Sequence, residues 1–501
     1  MTARAARLAL LPLDERPACT ALPADLASIA GAELALPDPE LLPRYRDPAH
    51  HGPNALGAWL LTQGQEADAV VVSLEGLALA GLIGSRIGNE SPEVVQARWE
   101  VLREVRCPVY GSVVVPRSPA VDDAAEEPAY WAHHGRALSA LSESLGFGVE
   151  STPVARIPQE VRRDWTRRRL RQHLLALRAV GLVAEGTLEA LVVGLDDGSA
   201  TNLSAAEAVE IRSWVGRLGV QDRVQVRGGT DESAGTLVVH ALARHHALSP
   251  SVSVVSAQDL ALVPTYESAD VRTSAREHVL GCGGTPWEPD KSGGGPIDRV
   301  GPSAIVVVHG PQGPGDWALS PPRSTDPVRA AQTVDLVVRS LQSGVPVSVC
   351  DVAHPNGADP LLIDALADRR VLTRLSGFAA WNTAGNSLGT AIAAAVVRVV
   401  GEHAGTFDPQ AMQRFVAHRV VEDWGWMSQV RPWLRQTLAL DPLRHDHVPA
   451  GTPALADAEA RLAALVAATP GLDRWRLAAP GIQLPWSRTF EVDLRLEAID
   501  G

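Results

Sequence analysis

The stretch Ala69-Val70-Val71-Val72-Ser73-Leu74-Glu75 decides how the rest of the chain is to be folded. Three β-branched residues in a row suit a short strand, and a strand without polar alternation needs cover on both faces. The run then stops on a carboxylate. Ile305-Val306-Val307-Val308-His309 repeats the pattern with an imidazole at its end. Working outward, strands are expected at residues 7–13, 32–36, 69–74, 109–115, 190–195, 223–227, 252–256, 304–309, 345–350 and 372–378. Helical segments separate them. Ser91-Pro92-Glu93 caps and starts one that runs to Arg106. Asp326-Pro327 starts another, with Val328, Ala331, Val334, Val338 and Leu341 on one face and Gly344 at its stop. Strands alternating with helices predict an α/β protein, a parallel sheet with helical crossovers. A TIM-barrel-like core is the favoured architecture and two doubly wound α/β lobes are the alternative, ten strands being more than one minimal barrel needs.

The expected organisation is an α/β core over residues 1–262, a Gly-rich junction or lid over 263–302, and a continuation of the core or a second α/β lobe over 303–404. A mostly helical packing region, residues 405–501, carries Trp424, Trp426, Trp433 and Trp475 and ends in a strand over 490–496.

With 501 residues, 46% of them hydrophobic, the chain can bury a large core. No apolar run reaches the ~20 residues expected of a membrane helix, so no membrane partner is expected. The formal net charge of −13 argues against nucleic acid, whose recognition rests on clustered Lys and Arg. A small-molecule substrate suits the composition better. Arg162, Arg163, Arg167, Arg168, Arg169 and Arg171 form one dense basic stretch, read as a solvated helix face with an anion or substrate clamp as the alternative. Arg4-Ala5-Ala6-Arg7 precedes an apolar run too short for a signal peptide, and Cys19, Cys107, Cys282 and Cys350 lie far apart. Reduced thiols and a cytoplasmic location are expected, with no disulfide, structural zinc or cofactor. Lys291 is the only lysine, which removes a Walker-type phosphate loop and leaves covalent lysine chemistry to a Gly-rich loop residue. The sequence sets no oligomeric state.

Ligands of parallel α/β folds bind at the carboxyl ends of the strands, and these ends are polar here. Asp14, Glu15 and Arg16 follow the first strand, Glu75 the third, Arg117 the fourth, Asp196 and Asp197 the fifth, and Asp231 and Glu232 the sixth. Later strands deliver His309, then Asp351, His354 and Asn356, then Trp381, Asn382 and Asn386. Each alone can serve as a turn or helix cap. Three adjacent acid pairs at buried strand ends are costly to desolvate without a ligand, a cation or an arginine, and Arg16, Arg86 and Arg117 can supply the last. Clustered acids raise one pKa and leave another low, the division of labour that glycoside cleavage requires. Trp381 and the amides Asn382 and Asn386 suit the faces and hydroxyls of a sugar. Asp351, His354 and Asn356 offer a divalent-metal alternative with help from Asp14 or Asp231. His133-His134, His245-His246, His445 and His447 are read as surface histidines, and no Gly-x-Ser-x-Gly elbow supports a serine nucleophile.

Arg227-Gly228-Gly229-Thr230-Asp231-Glu232 resembles the strand-end Gly-Gly-Asp-Glu of family 20 hexosaminidases, from which Thr230 departs, and Gly194-Leu195-Asp196-Asp197 resembles the paired aspartates of family 84. That likeness implies one carboxyl as general acid and its neighbour orienting the substrate's acetamido group. The chain as a whole resembles the bacterial domain of unknown function 4127 family. The matching segments are residues 12–17, Ser73-Leu74-Glu75, 81–86, Asp196-Asp197, Thr230-Asp231-Glu232, 351–359, 377–389 and 484–491. Cys19 stands where the family is expected to carry Asn, and Glu75 where it often has Asp. The resemblance implies that these segments share one site.

The expected function is therefore a glycoside hydrolase-like enzyme with Asp231 and Glu232, or Asp196 and Asp197, as acid and partner. A metal-dependent hydrolase or isomerase using Asp351 and His354 is one alternative, and a non-catalytic protein binding a polar metabolite is another.

Overall fold

The computed structural model describes residues 5–47, 52–147, 157–288, 301–323, 325–441 and 444–499. Two open, all-parallel sheets form its frame. The first holds β1 (Arg7–Leu11), β2 (Glu33–Ala35), β3 (Ala69–Ser73), β4 (Val109–Val115), β5 (Ala190–Leu195) and β6 (Val224–Gly228) in the order β2-β1-β3-β4-β5-β6. The second holds β7 (Ser251–Ser256), β8 (Thr285–Pro286), β9 (Ala304–His309), β10 (Val347–Asp351) and β11 (Gly377–Ala379) in the order β11-β10-β9-β7-β8. In each, the chain steps outward once and then returns past its starting strand. The strand order thus reverses between β1 and β3, and again between β7 and β9. Such reversals open a crevice at the strand ends.

The barrel expectation is corrected: among the described residues neither sheet closes, because β6 hands the chain to a second sheet instead of pairing with β1. The expected boundary also moves. Ser251–Ser256, grouped above with the first core, pairs with β9 and β8, so the change of sheet falls between Gly228 and Ser251. Residues 289–300 of the Gly-rich stretch, with Lys291, lie outside the described residues.

Strand residues alternate between two cores, as the pleat requires. Leu8, Leu10, Val71 and Val192 face inward to the larger core, while Ala9, Leu11, Val70, Val72, Leu191 and Val193 face an outer core. The outer face is covered by helices including Gln159–Ala184 and Leu203–Leu218. On the inner face, helices Ala21–Ile29 and Ser233–His245 pack onto Ala384–Ala404, which in turn covers β9, β10 and β11. The two sheets therefore share a helical layer and one continuous core. By length and composition alone Ala384–Ala404 could cross a membrane, which the run-length reading missed, but 89% of its most apolar window is buried inside the protein.

Residues beyond 405 are mostly helical, as expected. They include a π-helix, Val421–Val430, whose Asp423 accepts the Ala380 amide at 2.7 Å and so fixes the exit of β11. The strand expected over 490–496 is not formed. Instead β12 (Trp475–Leu477) pairs antiparallel with β13 (Leu496–Ala498), and residues 484–491 run back to the strand ends of the first sheet.

Candidate functional site

β1 ends at Leu11, and the turn that follows buries Asp14 and Arg16 at 2% exposure each. Asp14 grips Arg16 with both oxygens, at 2.9 Å to Nε and 3.0 Å to Nη2. Arg16 Nη2 also reaches Asp231 Oδ1 at 2.6 Å, and Nη1 lies 3.5 Å from Glu491. Arg488 continues the chain of charges, donating to Glu491 at 2.7 Å and to Glu126. Glu126 Oε2 then accepts from Arg86 at 3.0 Å and from Arg117 at 2.8 Å. Arg86 Nη2 meets Asp196 at 2.5 Å, and Arg117 Nη1 meets Asp197 at 3.0 Å. Arg117 Nε holds Glu127 at 3.1 Å. Residues from the exits of β1, β4, β5 and β6 thus meet Arg86 and the C-terminal segment in one network, which brings together Asp14, Arg16, Arg86, Arg117, Asp196, Asp197 and Asp231 of the candidate site residues.

The network opens to solvent at one end, where Asp197 is 30% and Arg117 14% exposed by side chain. Burial alone raises Asp196, yet Arg86 and Arg117 outweigh it and hold that carboxyl below the ordinary aspartate value. Burial raises Asp197 more than Arg117 lowers it, and the neighbouring Asp196 charge adds to the rise. Burial also lifts Asp231 to about 6 against the pull of Arg16. Glu15 is lifted to about 7 by burial and by Asp14, while accepting from Trp486 Nε1 at 2.8 Å and the Tyr45 amide at 3.2 Å.

Trp486 sits between two guanidinium groups, Arg16 at 4.5 Å and Arg488 at 4.4 Å from its ring centroid, and stacks on Tyr45. Across the crevice, Asn382 donates to Asp231 Oδ2 at 2.9 Å. Its carbonyl accepts the Asn356 amide at 2.8 Å, Asn356 Nδ2 donates to Asp316 at 2.9 Å, and the Tyr266 hydroxyl donates to Asp316 at 2.8 Å. Five of the eleven non-glycine residues with positive φ among the described residues belong to these contacts: Asp197, Tyr266, Asn356, Asn382 and Trp486. Strained backbone of this kind collects where a side chain must be aimed.

Other expected site residues are placed elsewhere. Glu232 does not join Asp231: it pairs with Arg227 in the core, 3.9 Å from His278. Glu75 is 1% exposed and accepts the Val114 amide at 2.9 Å. Trp381 offers no sugar platform. It is buried, donates to the Phe490 carbonyl at 3.2 Å and packs on that ring. Asn386 accepts the Thr230 amide at 3.3 Å, tying a helix to the loop after β6. Asp351 receives the amides of Ala353 at 3.0 Å and Asp359 at 2.6 Å. Among the described residues no three His, Cys, Asp or Glu side chains converge to hold a metal ion, so Asp351, His354, Asp14 and Asp231 do not form the expected alternative centre.

The basic stretch is not simply a solvated face. Arg169 and Arg171 are buried, and Arg171 donates to the carbonyls of Ser85 and Gly88 on either side of Arg86. Glu126, Glu127, Tyr266, Glu267, Asp316, Trp486, Arg488 and Glu491 were not singled out from sequence, because none follows a strand directly. The only signal was that 484–491 belonged to the family-like segments.

Residues 8–495 match the family described as Protein of unknown function (DUF4127). The chain belongs to this family. No curated protein and no solved structure matches the chain.

Proposed function

We propose that the protein is a carboxylate-dependent glycoside hydrolase acting on a small saccharide at the open end of the ionic network. The observation that carries this reading is the adjacent pair Asp196 and Asp197. They are held by different arginines, with pKa values displaced in opposite directions, at the most exposed point of the network. Pairs separated in this way mark the acid and the ionised partner. Asp197 donates its proton to the leaving glycosidic oxygen as the C–O bond breaks. Asp196 stays ionised and stabilises positive charge at the anomeric carbon. Water then adds there and returns a proton to Asp197.

The test is hydrolysis of a panel of aryl glycosides. Asp197→Asn and Asp196→Asn should each lower kcat/KM by about 100-fold or more while leaving the thermal unfolding midpoint within a few degrees. Unchanged turnover in both variants would overturn the proposal.

A non-catalytic polar-metabolite-binding protein is the second reading, supported by the two sheets' strand ends meeting through the Asp231–Asn382 contact. It predicts saturable binding with no product.

A further inference from the structure

A separate cavity of about 60 Å³ lies at the strand ends of the second sheet, lined by Thr265, Gln312, Asp351, His354, Asn382 and Ser387 among others. His354 is 4% exposed, and neither of its ring nitrogens has a hydrogen-bond partner among the described residues. Leaving both unsatisfied is costly, so a ligand that pairs them is favoured. Gly315 keeps that edge open, since a Cβ there would stand 3.1 Å from His354 Nδ1. The cavity adjoins the ionic network through Asn382, which lines it while donating to Asp231.

The lining selects the ligand's chemistry. Among the described lining residues there is no Lys or Arg, and the one carboxylate, Asp351, already accepts two backbone amides. An anion finds no free countercharge among them, Arg329 outside the lining being held by the Gly310 and Pro311 carbonyls, and a cation finds a carboxylate whose oxygens are engaged. Burial lowers the His354 pKa, which favours the neutral ring with its one N–H donor and one acceptor. A hydroxyl group donates and accepts in the same way. At about 10–15 Å³ per water-sized group, the space holds about four to six such groups, enough for a hydroxymethyl or vicinal diol but too small for a whole sugar ring.

We infer that this cavity is a binding subsite for an uncharged, hydroxyl-bearing arm of the ligand, recognised by His354 and Asn382. The inference rests on the saccharide reading above for the identity of the molecule, but not on its being cleaved.

The experiment is calorimetric titration of the full chain with methyl glycosides of glucose, galactose, mannose and N-acetylglucosamine, their 6-deoxy counterparts, and inorganic phosphate. At least one methyl glycoside should bind. His354→Phe should weaken that binding about tenfold or more, and His354→Gln, which keeps a donor and an acceptor, should retain most of it and report on correct folding. Crystals soaked in the same glycoside should show its hydroxyl groups within hydrogen-bond distance of His354. No binding by any glycoside, equal affinity in His354→Phe, or preferential binding of phosphate would overturn the inference. The two proposals fail separately. His354-dependent binding without turnover removes only the hydrolase, and Asp197-dependent turnover with His354-independent binding removes only the subsite.

Discussion

Glu75 shows what a single buried carboxyl does to the molecule's response to pH. It lies against β4, where the Val114 amide and its own amide pull its pKa down and burial outweighs both, lifting it from 4.5 to about 7. A carboxyl whose folded pKa exceeds its unfolded value stabilises the fold fully below the unfolded value, and that contribution disappears as pH rises through the folded one. Glu75 thus favours the folded state near pH 4 and has ceased to do so above about pH 7, a change of about 3 kcal/mol. In Glu75→Gln this part of the pH dependence should vanish, so that the variant loses less stability than the parent between pH 4.5 and 7 in urea titrations. Equal slopes would show that Glu75 titrates normally. Strand-end position made Glu75 visible in the sequence as a site residue. Its true direction, toward the Val114 amide, depends on how the short helix Leu74–Ala78 turns, which no local pattern reports.

At the scale of elements, the long helix Gln159–Ala184 acts on the site from behind. Arg168 and Arg171 both donate to the Gly88 carbonyl, and Arg171 also reaches Ser85, so the helix Gly81–Ile87, which carries Arg86, is pinned at its C-terminal end. Arg171→Ala leaves the Ser85 carbonyl without that donor and the Gly88 carbonyl with Arg168 alone, and should cost about 1–3 kcal/mol. Hydrogen exchange should speed up over residues 85–90 and not over β5, whereas a uniform change across both would assign the arginine a general packing role. The sequence showed these arginines as a cluster, and their number made a solvated face the simplest account. The helix register that buries Arg169 and Arg171 is set by Trp165, Leu175 and Ala176, which share the buried side. Strands were more legible than helices' partners. Those over 109–115, 190–195 and 304–309 fall where β-branched runs placed them, because burial on both faces leaves little choice of residue.

At the scale of the whole molecule, the local βα pattern is shared by barrels and open sheets, and strand order alone separates them. That order rests on contacts hundreds of residues apart. The change of sheet passes through Ser233–His245, a helix with the same apolar face as any crossover, so nothing local marked it. Where the two halves meet, Gly385 at the start of Ala384–Ala404 rests on the end of β6. A Cβ there would lie 2.6 Å from the Gly228 carbonyl carbon, and the Gly385 amide donates to Glu267 at 2.6 Å. Gly385→Ala must push the second sheet's central helix away from the first sheet's strand end. It should lower stability by about 1–3 kcal/mol and weaken ligand binding as well, read by thermal unfolding and by the glycoside titration above. Loss of neither would show that the contact yields without strain.

The segment 484–491 gives the assembly an order in time. Asp14 and Arg16 are made long before Glu491 and the indole that Arg16 packs on, which follow Arg16 by 475 and 470 residues. A chain interrupted during synthesis short of Trp486 would carry the strand ends of both sheets but lack Arg488 and Glu491 together, as well as the indole. Arg16 would then have neither its distant carboxylate nor its aromatic face until translation has passed that point.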